Sequence, residues 1–89
     1  MIENRIGVVG IVIEKDGDVH RINQVLHDHN QIIVGRMGLP NINQREISII
    51  SVVVDGTTDQ IGSLTGQLGA LKGVNVKSAL SKKSGNATV

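Results

Sequence analysis

The sequence predicts an α+β fold of the ferredoxin-like class, βαββαβ, in which an antiparallel sheet carries two helices on one face. Three observations lead there. Two strand-like runs, IGVVGIVI from Ile6 and ISIISVVV from Ile47, are each followed by apolar residues at helical spacing. The helical positions then match one another, Val19 with Ile61, Ile22 with Leu64 and Leu26 with Leu68. A shorter apolar run closes each half, Ile32 and Val34 corresponding to Val74 and Val76. Two strand–helix–strand units with right-handed crossovers in a single sheet place the first and third strands at its centre.

Each element has its own warrant. In the first strand Ile6, Val8 and Val12 alternate with Val9, Ile11 and Ile13. Asp18 is placed to cap the first helix, whose buried face is expected to be Val19, Ile22, Val25 and Leu26, with His29 and Asn30 near its end. The second strand, QIIVGRMGLP, runs through Gly35 and Gly38 on either side of Arg36 and Met37 and stops at Pro40, the single proline of the chain. Interior glycine forgoes side-chain packing in a strand and often marks a close backbone approach, so another subunit or a ligand is expected near it. The third strand alternates Ile47, Ile49 and Val53 with Ile50, Val52 and Val54. Thr57 and Gln60 form a capping box ahead of the second helix, with Ile61, Leu64, Leu68 and Leu71 inward, and Gly73 ends it. Along that helix Gly62, Gly66 and Gly69 form a stripe, read either as close helix-on-sheet packing or as a surface that admits a subunit or ligand. Residues 1–80 are expected to make the domain and residues 81–89 a flexible tail.

Strands one and three are apolar on both faces. One helix layer covers one face only, and a bare aliphatic sheet exceeds what a soluble monomer usually exposes. A second copy of the chain is the expected cover, in a dimer or tetramer, with Ile11 and Val52 among its contacts.

Composition excludes several function classes. Eighty-nine residues suffice for one domain. With no cysteine there is no disulfide, thiolate metal site or cysteine nucleophile. With no aromatic residue there is no stacking platform for single-stranded nucleic acid, and a net charge of +1 falls short of a phosphate-binding domain, so direct nucleic-acid binding is not expected. Lys72, Lys77, Lys82 and Lys83 read as a solvated edge and tail. The start, MIENRIGVVGIVIEKDG, lacks the features of a secretion signal and its apolar run is too short to span a bilayer, so a cytoplasmic protein without membrane contact is expected.

Chemistry is sparse. Arg36 is suited to bidentate capture of a carboxylate or phosphate, or else is an edge-strand charge that discourages aggregation. His27 and His29 flank Asp28, but positions i and i+2 on a helix point apart, so no metal site is assigned. No Ser/His/acid arrangement, paired carboxylates in an apolar segment or GxGxxG fingerprint is present, and neither an enzyme nor a cofactor is expected.

The order RIGVVGIVIEK, INQVLHDH, IIVGRMGLP, DQIGSLTGQLGALKGVNVKS resembles the small bacterial family of iron-only hydrogenase system regulators. The resemblance spans about residues 5 to 80 and rests on Arg36, Gly38 and Pro40 together with the helix motif from Ile61 to Gly69. It implies a stand-alone ACT-like domain, related in fold to the regulatory domain of the nickel-responsive repressor. ACT-like domains commonly bind amino acids between subunits beside the first strand–helix loop, which corresponds here to Lys15, Asp16, Gly17 and Asp18. Glycine and the free N–H groups of a helix start suit a carboxylate there, and the aspartates favour a zwitterion. The candidate residues are thus Asp16, Gly17 and Asp18, implied by the resemblance, and Gly35, Arg36 and Gly38, read from the second strand itself. The expected function is that of a homo-oligomeric ligand-sensing regulator, acting on transcription only through a partner protein, since five residues precede Ile6 where a DNA-binding arm would lie. The alternatives are a structural assembly module that senses nothing and a metal-responsive sensor without a DNA-binding arm.

Overall fold

A computed structural model describes residues 4–82. The elements are β1 (Asn4–Ile13), α1 (Val19–Asp28), β2 (Ile33–Leu39), β3 (Ser48–Thr57), α2 (Thr58–Gly69) and β4 (Val74–Leu80). They form one antiparallel sheet in the order β2-β3-β1-β4, the ferredoxin-like arrangement with the first and third strands central. The pairing of β4 with β1 continues to Ser81, whose N–H donates to Ile6 O at 2.8 Å. Lys83 and the rest of the expected tail lie outside the described residues. No helix among the described residues is long and apolar enough to cross a membrane.

Both helices start where local chemistry places them. Asp18 Oδ1 accepts from the Arg21 backbone N–H at 3.1 Å, satisfying one of the unpaired donors at the head of α1. At the head of α2, Thr57 Oγ1 accepts from the Gln60 N–H at 3.1 Å while Gln60 Oε1 accepts from the Thr57 N–H at 2.9 Å, a complete capping box. After α2 the chain reverses at Gly73, whose φ of +71° lies in the left-handed region that favours glycine.

The helices decide which sheet face is core. Val9, Ile11 and Ile13 of β1 and Ile50, Val52 and Val54 of β3 are buried beneath Ile22, Val25 and Leu26 of α1 and Ile61, Leu64 and Leu68 of α2. Ile11 and Val52 are both 0% exposed within the subunit, so they are not the subunit contacts expected from the sequence. The open face instead carries Ile6, Val8, Ile49 and Val53, all exposed. Val19, expected inside, is 49% exposed and lies outside the buried core cluster.

A bulge in β2 reassigns its side chains. Ile33 lies opposite Val54 on the helix side, Val34 is left unpaired, and Gly35 lies opposite Val53 on the open side. From there Gly35, Met37 and Leu39 belong to the open face, while Arg36 and Gly38 turn toward the helices opposite Val52 and Ile50. The open face therefore has a bulky row of Leu39, Ile49 and Val12, then a row with Ser51 and Gly10 at its centre, then Val53 with Val8.

The α2 glycines do not serve close packing on the sheet. A methyl group at Gly62, Gly66 or Gly69 would touch nothing within 4 Å. Gly66→Ala is accordingly expected to raise stability by about 0.5–1 kcal/mol, from helix propensity and a less flexible unfolded chain. Leu64→Ala, which empties a fully buried site, should lose roughly 2–5 kcal/mol. Urea unfolding midpoints of the two variants check both, and a less stable Gly66→Ala would restore a packing role to the stripe.

Candidate functional site

A groove opens between α1 and the end of β2. It has a volume of about 310 Å³ and runs between Val19 and Asn23 of α1 and Arg36, Gly38, Leu39 and Pro40 at the end of β2, floored by Ile13, Ser48, Ile49 and Ile50. Its walls are largely aliphatic. Arg36 is its ionisable group, and Arg36 Nη2 donates to Asn23 Oδ1 at 2.9 Å. That bond ties the guanidinium to α1 through one nitrogen. A guanidinium carries five N–H donors, so capacity for a bidentate anion contact remains.

Gly38 borders this space without filling it. A Cβ there would meet Ile50 Cγ1 at 3.9 Å, an ordinary contact, and one at Gly35 would meet nothing within 4 Å. Neither glycine is demanded by the subunit's own packing. Gly35 sits on the open sheet face and Gly38 on the groove side, so the structure separates the two glycines that frame Arg36 and Met37.

The β1–α1 loop is engaged with its own chain. Asp18 is the N-cap, and Asp16 pairs with Lys72 at 3.8 Å. The Gly17 N–H donates to Glu14 O at 2.9 Å, and a Cβ on Gly17 would lie 2.6 Å from Ile13 Cγ2. The close approach of the Gly73 turn, whose carbonyl accepts from the Glu14 N–H at 2.8 Å, explains why this corner holds glycines. Asp16, Gly17 and Asp18 do not line the groove with Arg36 and Gly38.

His29 bridges the two helices. Its Nδ1–H donates to Val25 O at 2.8 Å, an assignment forced by the carbonyl, and Nε2 lies 3.3 Å from Ser63 Oγ, which also accepts from Gln67 Nε2 at 3.1 Å. These contacts close the end of α1 against α2. Among the described residues no three His, Asp or Glu side chains converge as metal ligands.

Asn23 and Ser48 line the groove without any signal in the sequence that singles them out, and Val19, Ile13, Ile49 and Ile50 line it although their pattern marks them only as core or strand residues. Asn23 sits one turn after Val19, and that spacing puts both residues on one side of α1.

A family model described as TM1266-like, "Iron-only hydrogenase system regulator, putative", matches residues 5–78. Among solved structures, the uncharacterised protein TM1266 from Thermotoga maritima is similar with a TM-score of 0.83 and 33% identity, covering 90% of this chain and 100% of that one. An unknown protein from Galdieria sulphuraria is similar with a TM-score of 0.58 and 13% identity, covering 94% of this chain and 49% of that one. LarC2, the C-terminal domain of a cyclometallase involved in the synthesis of the NPN cofactor of lactate racemase, has a TM-score of 0.50 and 11% identity, covering 88% of this chain and 56% of that one. At those identities the last two show likeness of fold alone. No protein of curated function matches.

Gly17→Ala should lower stability by roughly 1–3 kcal/mol, because its methyl is forced into Ile13 and the Gly73 turn. Gly38→Ala should stay within about 0.5 kcal/mol of the parent or exceed it. Chemical denaturation of the two variants checks this, and the reverse ranking would show that the groove glycine belongs to the fold.

Proposed function

The chain belongs to the TM1266-like family of iron-only hydrogenase system regulators, and from that membership we propose that it is a homo-oligomeric regulatory domain that answers to a small effector. It catalyses no reaction itself. Any effect on transcription passes through a partner protein, and the compartment is the cytoplasm.

The observation that carries this reading is the open sheet face. Ile6, Val8, Met37, Leu39, Ile49 and Val53 are each at least 36% exposed, on the side of the sheet away from both helices. Water is a poor neighbour for such a surface, and burying it contributes roughly 25 cal/mol per Å². A second copy fits it by symmetry, because the bulky row of Ile49 and Val12 on one subunit can enter the shallow row of Ser51 and Gly10 on the other. Gly10 supports this, since a Cβ there would have only Lys77 O within 4 Å, at 3.8 Å, and the subunit alone does not require glycine.

A pure assembly module, sensing nothing, is the second reading. It is favoured by the β1–α1 loop, where Asp16 and Asp18 are already occupied by Lys72 and the helix cap. Native mass spectrometry separates the two, because a sensor retains or takes up a small molecule and a pure assembly module does not.

At micromolar concentration the protein is expected to sediment as a dimer or larger. Val53→Glu and Val8→Lys, both on the open face, should reduce it to monomer with an unchanged circular dichroism spectrum. A parent chain that sediments as a monodisperse monomer would sink the assembly reading.

A further inference from the structure

We infer that the groove between α1 and β2 binds a small organic carboxylate with an aliphatic body, whose head is received by Arg36, and that it rejects the corresponding amino acid. This deepens the effector reading of the previous subsection and rests on it.

Among the residues that line the groove, Arg36 is ionisable and no aspartate or glutamate is present. A carboxylate there meets a planar donor fork that is already oriented by its bond to Asn23 Oδ1. An α-ammonium would find no counter-charge among the lining residues and would lie close to the like charge of Arg36, which repels it. Asp16 and Asp18, which favoured a zwitterion in the sequence, are held elsewhere by Lys72 and the cap of α1.

Shape and polarity supply the rest. The volume of about 310 Å³ is at the small end of the range for ligand pockets, about 300–1,000 Å³. Val19 and Leu39 on its rim are 49% and 52% exposed, so a bound aliphatic chain would remove apolar surface that the folded subunit leaves in water. Gly38 leaves open the space that a branched side chain would occupy, without any backbone need for glycine at that position.

Hexanoate is the probe, with hexanamide and norleucine as controls: the first lacks the charge and the second adds only the α-ammonium. Amide spectra of the labelled full chain are recorded during titration. Hexanoate is expected to shift Asn23, Gly38 and Leu39 saturably, with a Kd of about 1 mM or tighter for so small a ligand. Arg36→Gln should weaken it at least about tenfold, as loss of a charge-assisted contact implies. Hexanamide and norleucine should bind the parent at least about tenfold more weakly, and Gly38→Val should abolish binding while the fold remains.

The inference is overturned by the absence of saturable shifts up to about 10 mM, by shifts confined to other residues, by norleucine or hexanamide binding as well as hexanoate, or by undiminished binding in Arg36→Gln. Should Gly38→Val fail to fold, Arg36→Gln and the two control ligands decide alone. Sedimentation of the same samples separates the two proposals. A dimer that ignores hexanoate removes the groove inference and leaves the assembly reading, whereas a monomer that binds it does the opposite.

Discussion

A sheet with two apolar faces and only one layer of helices is the constraint on which the rest of this molecule depends. The helices bury the centre of one face: Val9, Ile11, Val52 and Val54 are inaccessible to water. The other face keeps aliphatic side chains on both central strands and on β2. A chain without aromatic residues has no large side chain to fold over such a surface, and the open side carries isoleucine, valine, leucine and methionine with Gly10 and Ser51 between them. Association is the economical answer to that imbalance, which is why assembly comes before ligand binding in the functional reading.

Strand β2 connects the two surfaces. Its bulge at Val34 hands Gly35 and Met37 to the open face and Arg36 and Gly38 to the groove, while Leu39 lies opposite Ile49 on the open side and also borders the groove. A subunit packed on one side and an effector held on the other would therefore meet along the same seven-residue edge strand and share Leu39. Edge strands are paired on one side only, so β2 is less constrained than β1 or β3, each of which is paired on both. Coupling between effector and assembly needs no longer path than this.

A second tightly bonded corner adjoins the groove at the end of β1. Gly17, Gly73, Glu14 and the Asp16–Lys72 pair knit the β1–α1 loop to the turn before β4. The exposed ion pair adds little stability, but the backbone bonds and the crowding around Gly17 fix the direction in which α1 leaves the sheet. The loop itself does not line the groove.

Element order, both helix caps, most of the core and the excess of apolar surface were legible in the sequence, because each depends on neighbours a few residues away. Asp18 and the Thr57–Gln60 pair act within one helical turn, and period-two alternation is visible without any partner strand. Alternation is blind to which face is covered, however, so Ile11 and Val52 could not be told from Val8 and Val53 until the helices lay across one side. The same blindness hid the bulge: one unpaired residue at Val34 exchanges the faces of all that follow, and only the pairing with β3 reveals it. Helical periodicity likewise put Val19 inside and left Gly62, Gly66 and Gly69 open to two readings, because it defines a stripe but not where the opposing layer ends. Tertiary structure alone decided these points, since burial is a property of what lies across from a residue, not of the residues beside it in the chain.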